Sequence, residues 1–177
     1  MQNKKISKYL SLILRHKPEM ANIQLDAQGW VQIEELIENS KDFSLSYELI
    51  QSIVNSNDKQ RFAISDDGKK IRANQGHSVQ VELGLTPLTP PDILYHGTAT
   101  RFMQSIKQSG LIKGERHHVH LTESKQSAIA VGERYGNAVL LGIKAKSMFQ
   151  LGAKFYKTQN NVWLVDQVPV DKLLFDT

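Results

Sequence analysis

Three prolines and a glycine fall within the stretch VELGLTPLTPPD, Val81 to Asp92, and no other feature of the chain constrains its fold as strongly. Proline lacks a backbone N–H and has a fixed φ, and the residue before it avoids helical geometry. Neither a helix nor a central strand runs through such a segment. The chain is therefore expected to fold as two lobes, residues 1–80 and 92–177, joined by a linker at 81–91. The hydrophobic period also changes there, from mainly helical spacing to short apolar runs separated by turn residues.

In the first lobe, Ile6, Leu10, Ile13 and Leu14 recur at helical spacing and make one apolar face. Lys17-Pro18 ends that helix near Arg15. Gln28-Gly29 reads as a turn, and Trp30, Val31, Ile33, Leu36 and Ile37 as a short extended entry into a second helix. Ser46 suits the N-cap of a third helix, with Leu45 and Ile50 at the positions of a hydrophobic staple. Leu49, Ile50, Ile53 and Val54 make its buried side. RFAIS and KIRAN alternate apolar and polar residues on either side of Asp67-Gly68, which predicts a hairpin. Three helices followed by a hairpin is the layout of a winged helix, a module that binds nucleic acid or protein.

The second lobe reads as mostly β with two helices. ILYHG is a strand. Phe102, Met103 and Ile106 start a helix stopped by Gly110. HVHL is a short strand, and Ala128 to Tyr135 a second helix closed by Gly136. AVLLGIKA carries consecutive apolar residues and is expected to be buried on both faces. FYKT and VWLV flank a hairpin turn at Gln159-Asn160-Asn161. The fold class is α+β.

Composition narrows the function. With 177 residues and 40% hydrophobic content the chain can build a packed core. No apolar run approaches the roughly 20 residues that span a bilayer. The N-terminus is basic and then partly apolar, as in a signal peptide, but Lys8, Ser11, Arg15 and His16 interrupt it and no small-residue cleavage site follows. It reads as a helix of the folded protein. The absence of cysteine excludes disulfides and thiolate chemistry and fits a cytoplasmic location. No sequence feature demands a dimer, so a monomer is expected. Residues up to Gln80 carry 11 basic and 10 acidic side chains, and the rest 11 and 8. Neither half is a polybasic arm, so any nucleic acid must be drawn by a local pocket rather than by the global field.

Several polar residues are candidates for chemistry. The cluster His117, His118 and His120 invites a zinc reading, but no third ligand has a familiar spacing, and no metal is expected. Arg15-His16 closes a helix, where cations are common for electrostatic reasons. Arg61 opens the hairpin and alone is an ordinary surface arginine; Arg116 precedes two histidines in a Gly-rich loop, and alone it points neither to a surface charge nor to a site. LYHGT is more specific. A strand ends, His96 follows, then Gly97 permits close backbone approach and Thr98 offers a hydroxyl, a pattern that suits a ribose diol and suits equally a turn with a satisfied histidine. No Rossmann or P-loop glycine pattern is present.

Taken together, LSLILRHKP, GWVQIEELI, NDKQRFAISDDGKKIRANQGHS, LYHGTATRF, GLIKGERHHVHLT, AVGERYG and VWLVDQVP resemble the RNA 2'-phosphotransferase family, in the family's order and over nearly the whole chain. The resemblance implies a winged-helix lobe joined to an ADP-ribosyltransferase-like split-sheet lobe. It implies RNA carrying an internal 2'-phosphate and NAD as substrates, as in tRNA splicing. The 2'-phosphate attacks the nicotinamide ribose and nicotinamide leaves. The neighbouring ribose hydroxyl then takes the phosphoryl group, giving dephosphorylated RNA and a cyclic phosphate of ADP-ribose. The family's Arg-His-Arg-Arg set corresponds to Arg15, His16, Arg61 and Arg116. Its NAD-binding motif corresponds to His96, Gly97 and Thr98, with His120 as a second signature position. His77 and Ser78 are weaker candidates for RNA contact. Where many protein-modifying relatives of the wider superfamily place a glutamate, DQVPV presents Val168.

These residue types suit such chemistry. A phosphate monoester has a second pKa of about 6 and is already a nucleophile near neutrality. The enzyme must chiefly hold it in line with the sugar carbon. Arginine forks grip phosphate oxygens bidentately and stabilise charge without a metal. The second step moves protons, and His16 has a suitable intrinsic pKa of about 6.5. Two other readings compete: a mono-ADP-ribosyltransferase acting on protein or a terminal phosphate of nucleic acid, and a winged-helix regulator with an inactive second lobe.

Overall fold

A computed structural model describes residues 2–57 and 59–175. It is α+β, built from small antiparallel sheets and short helices, and divides into two compact units, Met1–Gly84 and Leu85–Thr177.

In the first unit, α1 (Gln2–Arg15) places Ile6, Leu10, Ile13 and Leu14 in the core at 1% exposure or less. Each such side chain contributes about 1.5–3 kcal/mol of burial, so this stripe fixes the helix in place. Pro18 begins a 3-10 turn at the break in α1. β1 (Val31–Gln32) leads directly into α2 (Ile33–Asn39). α3 (Tyr47–Asn55) starts where Ser46 Oγ accepts the N–H of Leu49, and Leu45 and Ile50 are both buried beneath it. The hairpin is β2 (Phe62–Ile64) and β3 (Lys70–Ala73), with Phe62 opposite Ala73 and Ile64 opposite Ile71. β1 pairs with β3 as a third strand, which two residues of sequence could not announce.

In the second unit, β4 (Leu94–Ala99) pairs along its full length with β7 (Ala138–Ile143), and β11 (Leu173–Leu174) extends that sheet. Between them come α4 (Met103–Ser109), β5 (Leu111–Ile112), β6 (Val119–Leu121) and α5 (Lys125–Gly132). Gly110, at φ +73°, stops α4. The chain ends through α6 (Ala145–Gln150), β8 (Tyr156–Lys157), β9 (Trp163–Val165) and β10 (Gln167–Val168). β6, β9 and β8 form a second sheet, and β10 pairs with β5. An isolated bridge between Tyr95 and Thr122 ties β4 to the end of β6.

Three expectations need correction. Among the described residues the second unit has three α-helices, because Ala145–Gln150 folds as α6; the N–H of Lys144 before it is held by Lys172 O and that of Lys146 within it by Asp92 O. The second helix starts at Lys125, where Ser124 Oγ caps Ser127 N, and only its last turn, Glu133–Tyr135, is 3-10. Only the latter half of β7, Leu141 to Ile143, is buried; Ala138 to Leu140 are partly exposed.

α5 lies against β4 at contact distance. A Cβ at Gly97 would fall inside the carbonyl of Ala128, and one at Gly132 inside the carbonyl of Thr98. The two glycines let the helix backbone rest on the strand backbone. Gly97→Ala should cost about 1–3 kcal/mol, lowering the thermal midpoint by roughly 3–10 °C in a circular-dichroism melt. An unchanged midpoint would contradict this packing.

Candidate functional site

The sequence candidates gather into one cluster in each unit. In the first, the segment Asn74–Ser78 leaves β3 and links Arg61 to the end of α1. The N–H of Asn74 bonds Arg61 O at 2.9 Å, and Asn74 Nδ2 bonds Gln60 O at 2.5 Å. Four residues on, the N–H groups of Ser78 and Val79 both reach Arg15 O, at 2.8 and 3.3 Å. A carbonyl at a helix C-terminus has no partner within its helix, so these donors close α1. Ser78 Oγ then sits 2.9 Å from His16 Nδ1 and fixes that ring. Arg15, His16, Arg61 and Ser78 are thus joined through one short segment. His77 is buried at 2% exposure and packs beside Gly29.

Sequence reasoning missed the side chains that aim Arg61. Asn57 Oδ1 accepts from Arg61 Nη1 at 3.1 Å. Gln60 adopts φ +40°, uncommon for a residue with a side chain, and the Asn74 amide holds its carbonyl there. The only sequence hint was polar residues flanking RF. Asn74 Oδ1 and Gln75 Oε1 are buried without a hydrogen-bond partner.

In the second unit, His96 on β4 places Nδ1 2.9 Å from the carbonyl of His120 on β6. A carbonyl only accepts, so His96 carries its proton on Nδ1 and presents Nε2 as an acceptor. Arg116 Nη1 lies 3.4 Å from His120 Nδ1. A guanidinium only donates, so His120 has the opposite tautomer, with its proton on Nε2. The two histidines thus carry complementary donor and acceptor patterns beside a guanidinium. Thr98 is buried at 5% exposure, two residues beyond His96 on the same strand face, while Gly97 turns to α5.

Burial pushes His96 below its ordinary pKa of 6.5, and the nearby Arg116 cation lowers it further, against the carbonyl of His120. His96 is therefore an uncharged imidazole at neutral pH. His118 is also lowered, first by burial and then by His117 and Lys113. Its ring packs edge-on against Tyr156 at 5.6 Å, while His120 engages Arg116, so the HHVH residues turn to different partners. Among the described residues, no group of three or more His, Cys, Asp or Glu side chains is placed to hold a metal. Val168, at 1% exposure, belongs to the apolar core, and its neighbour Asp166 is paired with Lys113 at 2.5 Å.

A histidine held neutral by the fold makes stability pH-dependent. Below about 6.5 the unfolded chain binds a proton that folded His96 resists, so stability is full above that pH and falls as the pH drops toward the folded value. Denaturant unfolding should show stability declining on acidification below about 6.5, with a shallower slope in His96→Gln. Rising stability on acidification would contradict the burial of a neutral imidazole.

The family model described as RNA 2'-phosphotransferase, Tpt1 / KptA family, matches residues 1–167. A protein of Acaryochloris marina named "Probable RNA 2'-phosphotransferase" is 54% identical over 170 residues, 95% of this chain and 94% of its own length. Similarly named proteins of Pseudomonas syringae pv. tomato and Flavobacterium johnsoniae are 48% and 49% identical, covering 97% and 94% of this chain and 94% and 92% of their own lengths.

Proposed function

The chain belongs to the RNA 2'-phosphotransferase, Tpt1 / KptA, family, and from that premise we propose that it removes an internal 2'-phosphate from RNA by transferring it to NAD. On this reading the first unit is a winged-helix lobe that holds RNA. The second is an ADP-ribosyltransferase-like lobe that takes NAD, and no metal takes part. The observation that carries the proposal is the pair His96 and His120 beside Arg116.

The donor set suits NAD. A ribose diol offers hydroxyls that both give and accept hydrogen bonds. His96 Nε2 accepts one such proton, and His96 stays uncharged because burial depresses its pKa. A charged imidazolium there could not accept. Thr98 adds a hydroxyl on the same strand face, and Gly97 lets α5 rest on the opposite face of the strand, which holds that pair in place. Bound NAD supplies an electrophilic sugar carbon with a departing nicotinamide. The chain's own residues orient the reactants around it.

Arg15 and Arg61 on the first unit, and Arg116 on the second, are the cations that suit phosphate chemistry. Each charge-assisted contact is worth about 1.5–3 kcal/mol, and such cations stabilise charge building on phosphate oxygens. The first displacement needs no proton removed from the phosphate. The second does move a proton, because a ribose hydroxyl attacks phosphorus and the RNA 2'-oxygen leaves. His16, held at Nδ1 by Ser78, is the group that handles this proton.

The test is incubation with NAD and an RNA oligonucleotide bearing one internal 2'-phosphate. Loss of the phosphate with equimolar nicotinamide release supports the proposal. ADP-ribose retained as the end product would indicate an ADP-ribosyltransferase, and no turnover would contradict both. Arg61→Ala and Arg116→Ala should slow phosphoryl transfer more than the first attack, by about 10- to 100-fold for a lost charged contact. ADP-ribosylated RNA should then accumulate in single-turnover experiments; equal slowing of both steps would contradict separate roles.

A further inference from the structure

Two aromatic rings on the second unit are exposed and lie outside its hydrophobic core. Phe102 and Tyr135 are 40% and 43% exposed, and they meet edge to face with centroids 6.3 Å apart. They close two 3-10 turns, Thr100–Phe102 and Glu133–Tyr135. The turns flank the same end of the β4–β7 pair, where Ala99 lies opposite Ala138 and the N–H of Thr100 bonds Asn137 O at 3.0 Å. A sheet end therefore holds both rings in place. The Arg101 guanidinium lies 4.8 Å from the Phe102 centroid, and exposed Arg134 precedes Tyr135. Glu133 is the acidic neighbour.

We propose that Phe102 and Tyr135, with Arg101, form a stacking platform for an unpaired base of the RNA substrate. The inference rests on the reading of RNA as substrate, and it places an RNA contact on the second unit. An edge-to-face pair keeps a ring face open to an incoming π surface. A base stacks on such a face whatever its identity, and a guanidinium stacks alongside it.

Charge favours RNA as the occupant over another protein surface. Leu85–Thr177 carries eleven basic against seven acidic side chains, an excess equal to the net +4 of the whole chain. Met1–Gly84 is balanced, and beside the rings themselves two cations, Arg101 and Arg134, stand against one carboxylate, Glu133, so the local charge of the platform suits a polyanion. The exposure of the rings favours a base of a single strand over the adenine of NAD, because small-molecule sites are usually concave and bury most of their ligand.

The experiment compares wild type, Phe102→Leu and Tyr135→Leu. Leucine keeps apolar bulk but removes the π face, and both sites are exposed, so folding is retained and is checked by circular dichroism. The probes are a fluorescein-labelled single-stranded RNA octamer without 2'-phosphate, the same octamer with one internal 2'-phosphate, and NAD alone. Binding is read by anisotropy for RNA and by calorimetry for NAD. Each variant should weaken binding of both octamers by about 5- to 50-fold and leave NAD affinity within about twofold of wild type.

Because the unphosphorylated octamer needs neither the 2'-phosphate nor NAD, its result stands even if the proposed reaction fails. Failure of that reaction would appear instead as absent turnover by wild type. Unchanged RNA binding, or no binding of the plain octamer by wild type, would overturn the platform. So would loss of NAD affinity in the variants, which would assign the rings to adenine. A wild-type dimer that the variants dissociate would overturn it too, by assigning the rings to a second copy of the chain.

Discussion

Helix α5 rests directly on the backbone of β4, and that contact sets the arrangement of the second unit. Glycine at 97 and 132 removes the two Cβ atoms that would otherwise strike the carbonyls of Ala128 and Thr98. With one strand face so covered, alternation turns His96 and Thr98 to the other. The Tyr95–Thr122 bridge carries β6 alongside, which brings the carbonyl of His120 to His96. A close packing contact on one side of a strand thus fixes a hydrogen-bond pattern on the other.

That pattern decides the charge of the site. A fully hydrated imidazole at this position would be partly protonated near neutrality. Burial and Arg116 both oppose the charged form, and the one carbonyl that favours it does not reverse the balance. The positive charge near His96 therefore resides on the Arg116 guanidinium. The imidazole is left to accept from a hydroxyl. In the first unit the logic is different. There the segment after β3 caps α1 and positions His16 through Ser78 and Arg61 through Asn74 and Gln60, so helix capping and site geometry use the same residues.

Much of this was legible in the sequence, for physical reasons that differ between elements. Ile6, Leu10, Ile13 and Leu14 announced α1 because a buried helical stripe has a strong period, and Asp67-Gly68 announced the hairpin because its turn needs those residues. Ser46 marked its helix as a cap should. α6 was invisible because six residues carry little period and its contacts come from Lys172 and Asp92, distant in sequence. The individual arginines were also illegible. Nothing local distinguishes Arg61 from a surface cation, since Asn57, Gln60 and Asn74 act on it through bonds that periodicity does not register. Resemblance between long strings supplied those positions, and the fold then supplied their partners.

The charge pattern of the second unit's cluster depends on His96 being a neutral imidazole with its proton on Nδ1. Nitrogen-15 NMR of imidazole-labelled protein at neutral pH reads this directly, before and after addition of NAD. The predicted spectrum shows His96 Nδ1 protonated and Nε2 unprotonated, with the Nε2 shift moving on NAD binding as it accepts a hydrogen bond. An imidazolium, a proton on Nε2, or an Nε2 shift indifferent to bound NAD would contradict it.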